Sequence, residues 1–212
     1  MKRVRRLLDL HKSLHGKQGR PTQQVSDILR GSVVLAAGAL DGLVLEVIVA
    51  GVPDAARHGL LGGQTAKWVA SEPERMVKAL AEPDPQAELG ALVRDKLART
   101  TFQKSAMIES NLRDVLGVGE PWTAAALALT QSTDVEWTAQ DVREVLDAFM
   151  ARRDRIAHSG DQKANSTGAT TIQRPWVDRG VMVIEAVGEA VVQNTTLRLM
   201  QEAGAAAAPA EE

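Results

Sequence analysis

Apolar residues recur every three or four positions through most of the chain, the spacing of one helical face, and no segment alternates with period two. Residues 2–15 read as an amphipathic helix with Val4, Leu7, Leu8 and Leu10 on one side, ended by Gly16 and the GKQGRP run. Thr22 can cap a second helix that runs to about Val49, in which Val25, Ile28, Leu29, Val33, Ala36, Leu40, Leu43 and Val47 repeat at helical spacing. Its other side carries Val34, Leu35, Leu45 and Val49, and a helix apolar almost all round is expected to be buried by its own chain or by a partner. Gly31, Gly38 and Gly42 cost this helix about 1 kcal/mol each against Ala, which points to places where another backbone comes close.

The middle of the chain is less regular. VPDAARHGLLGG predicts a short helix between turns, and QTAKWVASEPERMVKALAEPDP predicts another, interrupted near Pro73. Helices follow over 88–99 and 102–116, then a short Ala/Leu helix over 122–130 after GVGEPW. A helix over 139–157 opens on Thr138 with Asp141 three residues on, close to a capping box, and its stripe is Val142, Val145, Leu146, Phe149 and Ile156. After Gly160 the polar stretch DQKANSTGATTIQRP has no periodicity and is long enough to be mobile or functional. The last helix starts near Pro175 and Trp176 and runs to about Ala203. The expected architecture is all-α: one domain over 1–203 with inserted helices at about 52–131, and a flexible Ala-rich tail at 204–212.

Composition agrees with this. Hydrophobic residues make up 44% but aromatics only 3%, so Ala, Leu and Val carry the core, as suits close helix packing. The absence of Cys excludes disulfides and thiolate metal sites and fits a reducing compartment. The basic N-terminus lacks the uninterrupted apolar stretch of a signal peptide. The longest apolar run, 31–40, is stopped by Asp41 and is too short to span a bilayer. A cytoplasmic protein without a membrane segment is therefore expected. The net charge of −2 argues against a globally basic nucleic-acid binder, but residues 1–20 hold seven Lys/Arg against Asp9 alone. Such a helix can contact phosphates or simply present a solvated face.

Candidate chemistry lies on two helices. Arg30 and Asp41 fall within about 20° of each other around the second helix, and Asp27 within about 60° of both. This polar stripe is either a structural Arg30–Asp27 pair at i, i+3, with Asp41 left unassigned by it, or the lining of a site. On the later helix, Arg153 falls about 20° from Val142, inside the apolar stripe, so it needs an acid, a carbonyl or an anionic ligand. His158 would point about 140° away from Arg153, and the two share a site only if the last turn loosens at Ser159 and Gly160. A His at a helix C-terminus is also favoured by the dipole alone, so capping and catalysis both stay open. His11 and His15 have metal-ligand spacing, but nothing nearby completes a site, and two surface His on a basic helix is the expectation. His58 stands alone in a turn; Asn165 heads a glycosylation triplet that means little without secretion; the four Trp read as packing anchors.

Residues 153–158, RDRIAH, resemble the Arg-x4-His signature of the HEPN superfamily, including a polar residue straight after the Arg. The early stretch ILRGSVVLAAGALDGLVLEVI is similar to the first core helix of its RiboL-PSP subgroup, where an acidic residue follows an apolar, small-residue run, as Asp41 does. The resemblance covers roughly 22–50 and 138–203. It implies a HEPN-like helical bundle, usually a homodimer in which two Arg–His pairs form one composite site. It also implies metal-independent RNA cleavage in a toxin–antitoxin or defence system, with an antitoxin or similar partner and no cofactor. Carried over, Arg153 would hold the scissile phosphate and His158 would move protons at the 2′-OH or the leaving oxygen. Asp154 or Asp41 would orient them, with Arg30 in support. Some members of the superfamily are inactive binding or scaffold modules, which is the alternative, ahead of a purely structural helical protein of a phage or defence locus.

Overall fold

A computed structural model describes residues 1–14, 22–80, 84–162 and 169–206. Among these are nine α-helices and no strand beyond an isolated antiparallel bridge between Gln162 and Ala169. The helices are α1 (Lys2–Leu14), α2 (Gln23–Arg57), α3 (Gly63–Ser71), α4 (Pro73–Leu80), α5 (Pro85–Leu97), α6 (Ser105–Leu116), α7 (Trp122–Ser132), α8 (Ala139–Ser159) and α9 (Arg174–Ala206). The protein is all-α. Contacts divide the chain into two units: Met1–Asp41 with Trp122–Gly188, and Gly42–Pro121 with Glu189–Glu212. The segment expected as an insertion, 52–131, overlaps the second unit without coinciding with it. Of the expected tail, 204–206 continue α9, and 207–212 lie outside the described residues.

The first unit buries Leu29, Val33, Ala36 and Leu40 of α2 with Trp122 and Leu129 of α7, Val142, Leu146 and Phe149 of α8, and Val177, Ile184 and Val187 of α9. These are the i, i+3, i+4, i+7 positions read from the sequence, so the burial follows the period. Phe149 stacks on Trp176 with ring centroids 5.3 Å apart and 16° between planes. A Cβ at Gly180 would overlap the Phe149 ring, so only glycine lets α9 approach α8 here. The second unit buries Val44, Ile48 and Val52 with Leu92, Ile108, Leu112 and Leu116.

Helix α2 departs from expectation in three ways. It does not stop near Val49 but continues through Pro53 to Arg57, absorbing the short helix expected after residue 52. Pro53 cannot donate to the Val49 carbonyl; Gly90 of α5 packs against that oxygen, and a Cβ there would sit 3.5 Å from it. Second, Gly31, Gly38 and Gly42 are not sites of close approach, since a Cβ at each would meet nothing within 4 Å. The side of the helix that holds them also leaves Val34 and Leu35 exposed. Third, the unbroken helix contains an 18-residue window of mean hydropathy 2.2, long and apolar enough by length and composition to cross a membrane, of which 33% is buried. Reading only the charge-free run 31–40 underestimated it, because a helix keeps its apolar character across a single Asp41.

Helix α8 opens as expected. The Thr138 hydroxyl accepts from the Asp141 backbone N–H at 3.1 Å, and the Thr138 backbone N–H donates to the Asp141 carboxylate at 2.9 Å. The Thr138 hydroxyl and backbone bonds hold the Asp141 carboxyl below its ordinary value of 3.8. A depressed folded-state pKa contributes stability that is present above the unfolded value and lost as pH falls through the folded one. Thr138→Ala is expected to cost about 1 kcal/mol at neutral pH, and the gap to wild type should narrow once the solution is acid enough to protonate Asp141; urea titrations along a pH series measure both.

Candidate active site

Two polar networks meet at the C-terminal end of α8. The helix stays regular through Ser159, and Gly160, at φ 58°, terminates it in the left-handed region. The Gly160 N–H donates to the Ile156 carbonyl and the Asp161 N–H to the Arg155 carbonyl, both at 3.1 Å. The first is the bond of a left-handed C-cap, and the second nests around it, donated from the position after the glycine. Here the position is held by Asp161, itself at φ 61° and only 1% exposed. Asp is one of the few non-glycine residues that tolerate this region.

The sealed carboxylate of Asp161 organises the first network. Its Oδ2 accepts from Arg30 Nε of α2 at 3.2 Å and from Arg152 Nη2 of α8 at 2.6 Å. Both guanidinium groups also donate to the Thr170 carbonyl, at 2.8 and 3.1 Å, and Arg152 to that of Thr171 at 3.2 Å. Arg30 reaches Asp27 as well, at 2.8 Å, so the i, i+3 pair read from the sequence is present. The Asp161 carbonyl accepts from the Thr170 N–H at 2.7 Å. Charged groups this buried are tolerated because they are paired and hydrogen-bonded.

The second network joins residues expected to form a site. Arg153, 16% exposed at its side chain, donates from Nη1 to the Asp154 carboxylate at 3.0 Å. His158, exposed on the last turn, places Nδ1 2.9 Å from the Asp154 carbonyl. Asp154 therefore touches both Arg153 and His158, with its side chain and its backbone respectively. The last turn does not loosen before Ser159, so Arg153 and His158 leave the helix about 140° apart. A carbonyl oxygen can only accept, so the Nδ1 atom carries the proton and neutral His158 keeps Nε2 as an acceptor. The structure does not place Arg30 with this pair; it belongs to the Asp161 network. Asp41 sits half-buried on α2.

Sequence reasoning missed Arg152 and Asp161. Arg152 falls about 80° from Val142, at the edge of the apolar stripe, which was the available signal. No helical period reaches Asp161, which is buried by the fold of the segment beyond α8.

Other expectations resolve as follows. His11 is buried with Val4 and Leu8 rather than on the surface, because it lies seven and three residues on from them and shares their face. His15 and Asn165 lie outside the described residues. Among the described residues no group of three or more His, Asp or Glu is arranged to hold a metal ion. Trp122 and Trp137 are buried anchors, lying 5.5 Å and 4.6 Å under the guanidinium groups of Arg143 and Arg179. Trp176 is 36% exposed between clefts of about 310 and 210 Å³, neither lined by Arg153 or His158. Comparison with protein-family models, curated proteins and solved structures finds no match to this chain.

Removing the shared carboxylate should leave the largely buried Arg152 without its acid and Arg30 with the exposed Asp27 alone. Asp161→Ala is expected to lose about 3–5 kcal/mol of stability. Asp27→Ala, whose partner keeps Asp161 and whose own side chain is 57% exposed, should lose less than about 1 kcal/mol. Equal losses in chemical denaturation would show that the buried oxygen is not the anchor.

Proposed function

We propose that this chain is a metal-independent endoribonuclease of the HEPN type, working in the cytoplasm as a homodimer within a toxin–antitoxin or other defence system. The observation that carries the reading is the position of Asp154, which holds the Arg153 guanidinium with its carboxylate and the His158 ring with its carbonyl. The contact sets the ring's tautomer and leaves Nε2 as a base on an exposed edge. In the reaction, Nε2 accepts the proton of a ribose 2′-OH as that oxygen bonds to phosphorus. The phosphorus–O5′ bond breaks, the leaving oxygen takes that proton back from the imidazolium, and a cyclic phosphate remains. Arg153 turns its fork from Asp154 to the phosphate oxygens and balances their charge. Dependence on the 2′-OH selects RNA over DNA.

Because Arg153 and His158 diverge on one helix, two copies of the chain complete the proposed site. The exposed apolar side of α2 supports self-association, since apolar side chains facing water are the usual material of such contacts. Leu35→Glu should move the protein from dimer to monomer in sedimentation equilibrium; an unchanged mass would remove this face from the proposal.

One observation favours a second reading, an inactive interaction module: the His158 bond is also what a helix-end cap makes, and Arg153 already has an acid beside it. The two readings separate in one assay. His158→Ala is expected to abolish cleavage of single-stranded RNA in EDTA while the helical circular dichroism spectrum survives. Cleavage that persists in the variant defeats the catalytic assignment, and wild-type protein that cuts no RNA leaves the module.

A further inference from the structure

Helix α1 carries an excess of cations. Its apolar face is turned inward, with Val4, Leu8 and His11 buried. Arg5 is taken up by Glu185 of α9, at 2.9 and 3.0 Å. Lys2, Arg3, Arg6 and Lys12 are exposed, and among the described residues none makes a side-chain hydrogen bond or ion pair. Asp9 is the one acid of the helix. Four free cations against one carboxylate on a 13-residue helix attract a polyanion. Helix α1 is also tied to the segment that closes the end of α8. Its Leu8 carbonyl accepts from Arg174 Nη1 at 2.9 Å, and Arg174 opens α9 four residues after Thr170, whose carbonyl binds Arg152.

We propose that the exposed face of α1 is the track for the phosphate backbone of single-stranded RNA, leading the strand toward the end of α8. This rests on the ribonuclease reading and adds the surface that holds the substrate. Lys2 and Arg6 stand about one 5.4 Å helical turn apart, with Arg3 beside them, so successive phosphates meet successive cations. An anionic membrane is the competing polyanion. A helix that lies in a membrane needs its apolar face outward, and here that face is spent inside the first unit. Only Leu10 and Leu14 remain exposed, at one end.

The test measures binding of a labelled single-stranded RNA to the full chain carrying His158→Ala, which prevents cleavage, over a salt series. The combined variant Lys2→Gln, Arg3→Gln, Arg6→Gln, Lys12→Gln is compared with a charge-keeping one, Lys2→Arg, Arg3→Lys, Arg6→Lys, Lys12→Arg. Each lost phosphate contact lowers the slope of log affinity against log salt by about 0.7, so the neutral variant should lose up to about 3 in slope. Its affinity at low salt should fall by more than about tenfold, while the charge-keeping variant matches the parent. The four side chains are exposed, so the helical spectrum should be unchanged in both. RNA binding with the same slope in the neutral variant overturns the track, yet leaves cleavage by the wild type to decide the nuclease reading separately. No RNA binding by the parent, or preferential binding to phosphatidylserine vesicles that the neutral variant loses, also overturns it. Conversely, RNA held through α1 while His158→Ala still cleaves would keep the track and sink the catalytic pair.

Discussion

A carboxylate with almost no exposure holds two guanidinium groups from different helices, and the local geometry of the first unit follows from that demand. Desolvating Asp161, Arg30 and Arg152 is expensive, several kcal/mol per ion before compensation. The cost is offset only because one oxygen receives both cations and the Thr170 carbonyl receives both as well. Neither bond can form unless α2, the end of α8 and the segment before α9 lie in one arrangement. The network therefore specifies position more than it adds stability. Asp27, largely in water, balances the second cation without constraining anything.

The same demand shapes the end of α8. Asp161 must turn inward directly after Gly160, so the helix terminates abruptly in a left-handed cap instead of fraying. An abrupt end keeps Asp154 and His158 in helical register, and that register brings the Asp154 carbonyl to the imidazole. A frayed turn would have released the ring and its tautomer together. The proposed chemistry thus borrows its order from a neighbouring structural ion network, at a point where exposed histidine and buried carboxylate are three residues apart in the chain.

Charge and grease are both distributed unevenly over the surface, and each asymmetry has one helix behind it. Helix α1 spends its apolar face on the first unit and keeps outside four cations that have no partner among the described residues. Helix α2 carries more apolar surface than its own chain covers, including glycines that no neighbour approaches. The proposed partners, a phosphate backbone for the first and a second copy for the second, answer those two physical imbalances.

Local pattern alone determined the all-α class, most helix boundaries, the Thr138 cap and the Arg30–Asp27 pair, because each depends on residues within one or two turns. It also singled out Arg153 and His158, since an Arg inside an apolar stripe and a His before Ser-Gly are visible as exceptions. The tertiary structure alone decided that α2 runs on through Pro53 and that Asp161 binds Arg30 across 131 positions of chain. The physical reason is range. Helical propensity and capping act between near neighbours in sequence, while the burial of a charge is settled by whichever distant groups the packed helices bring within hydrogen-bonding reach of it.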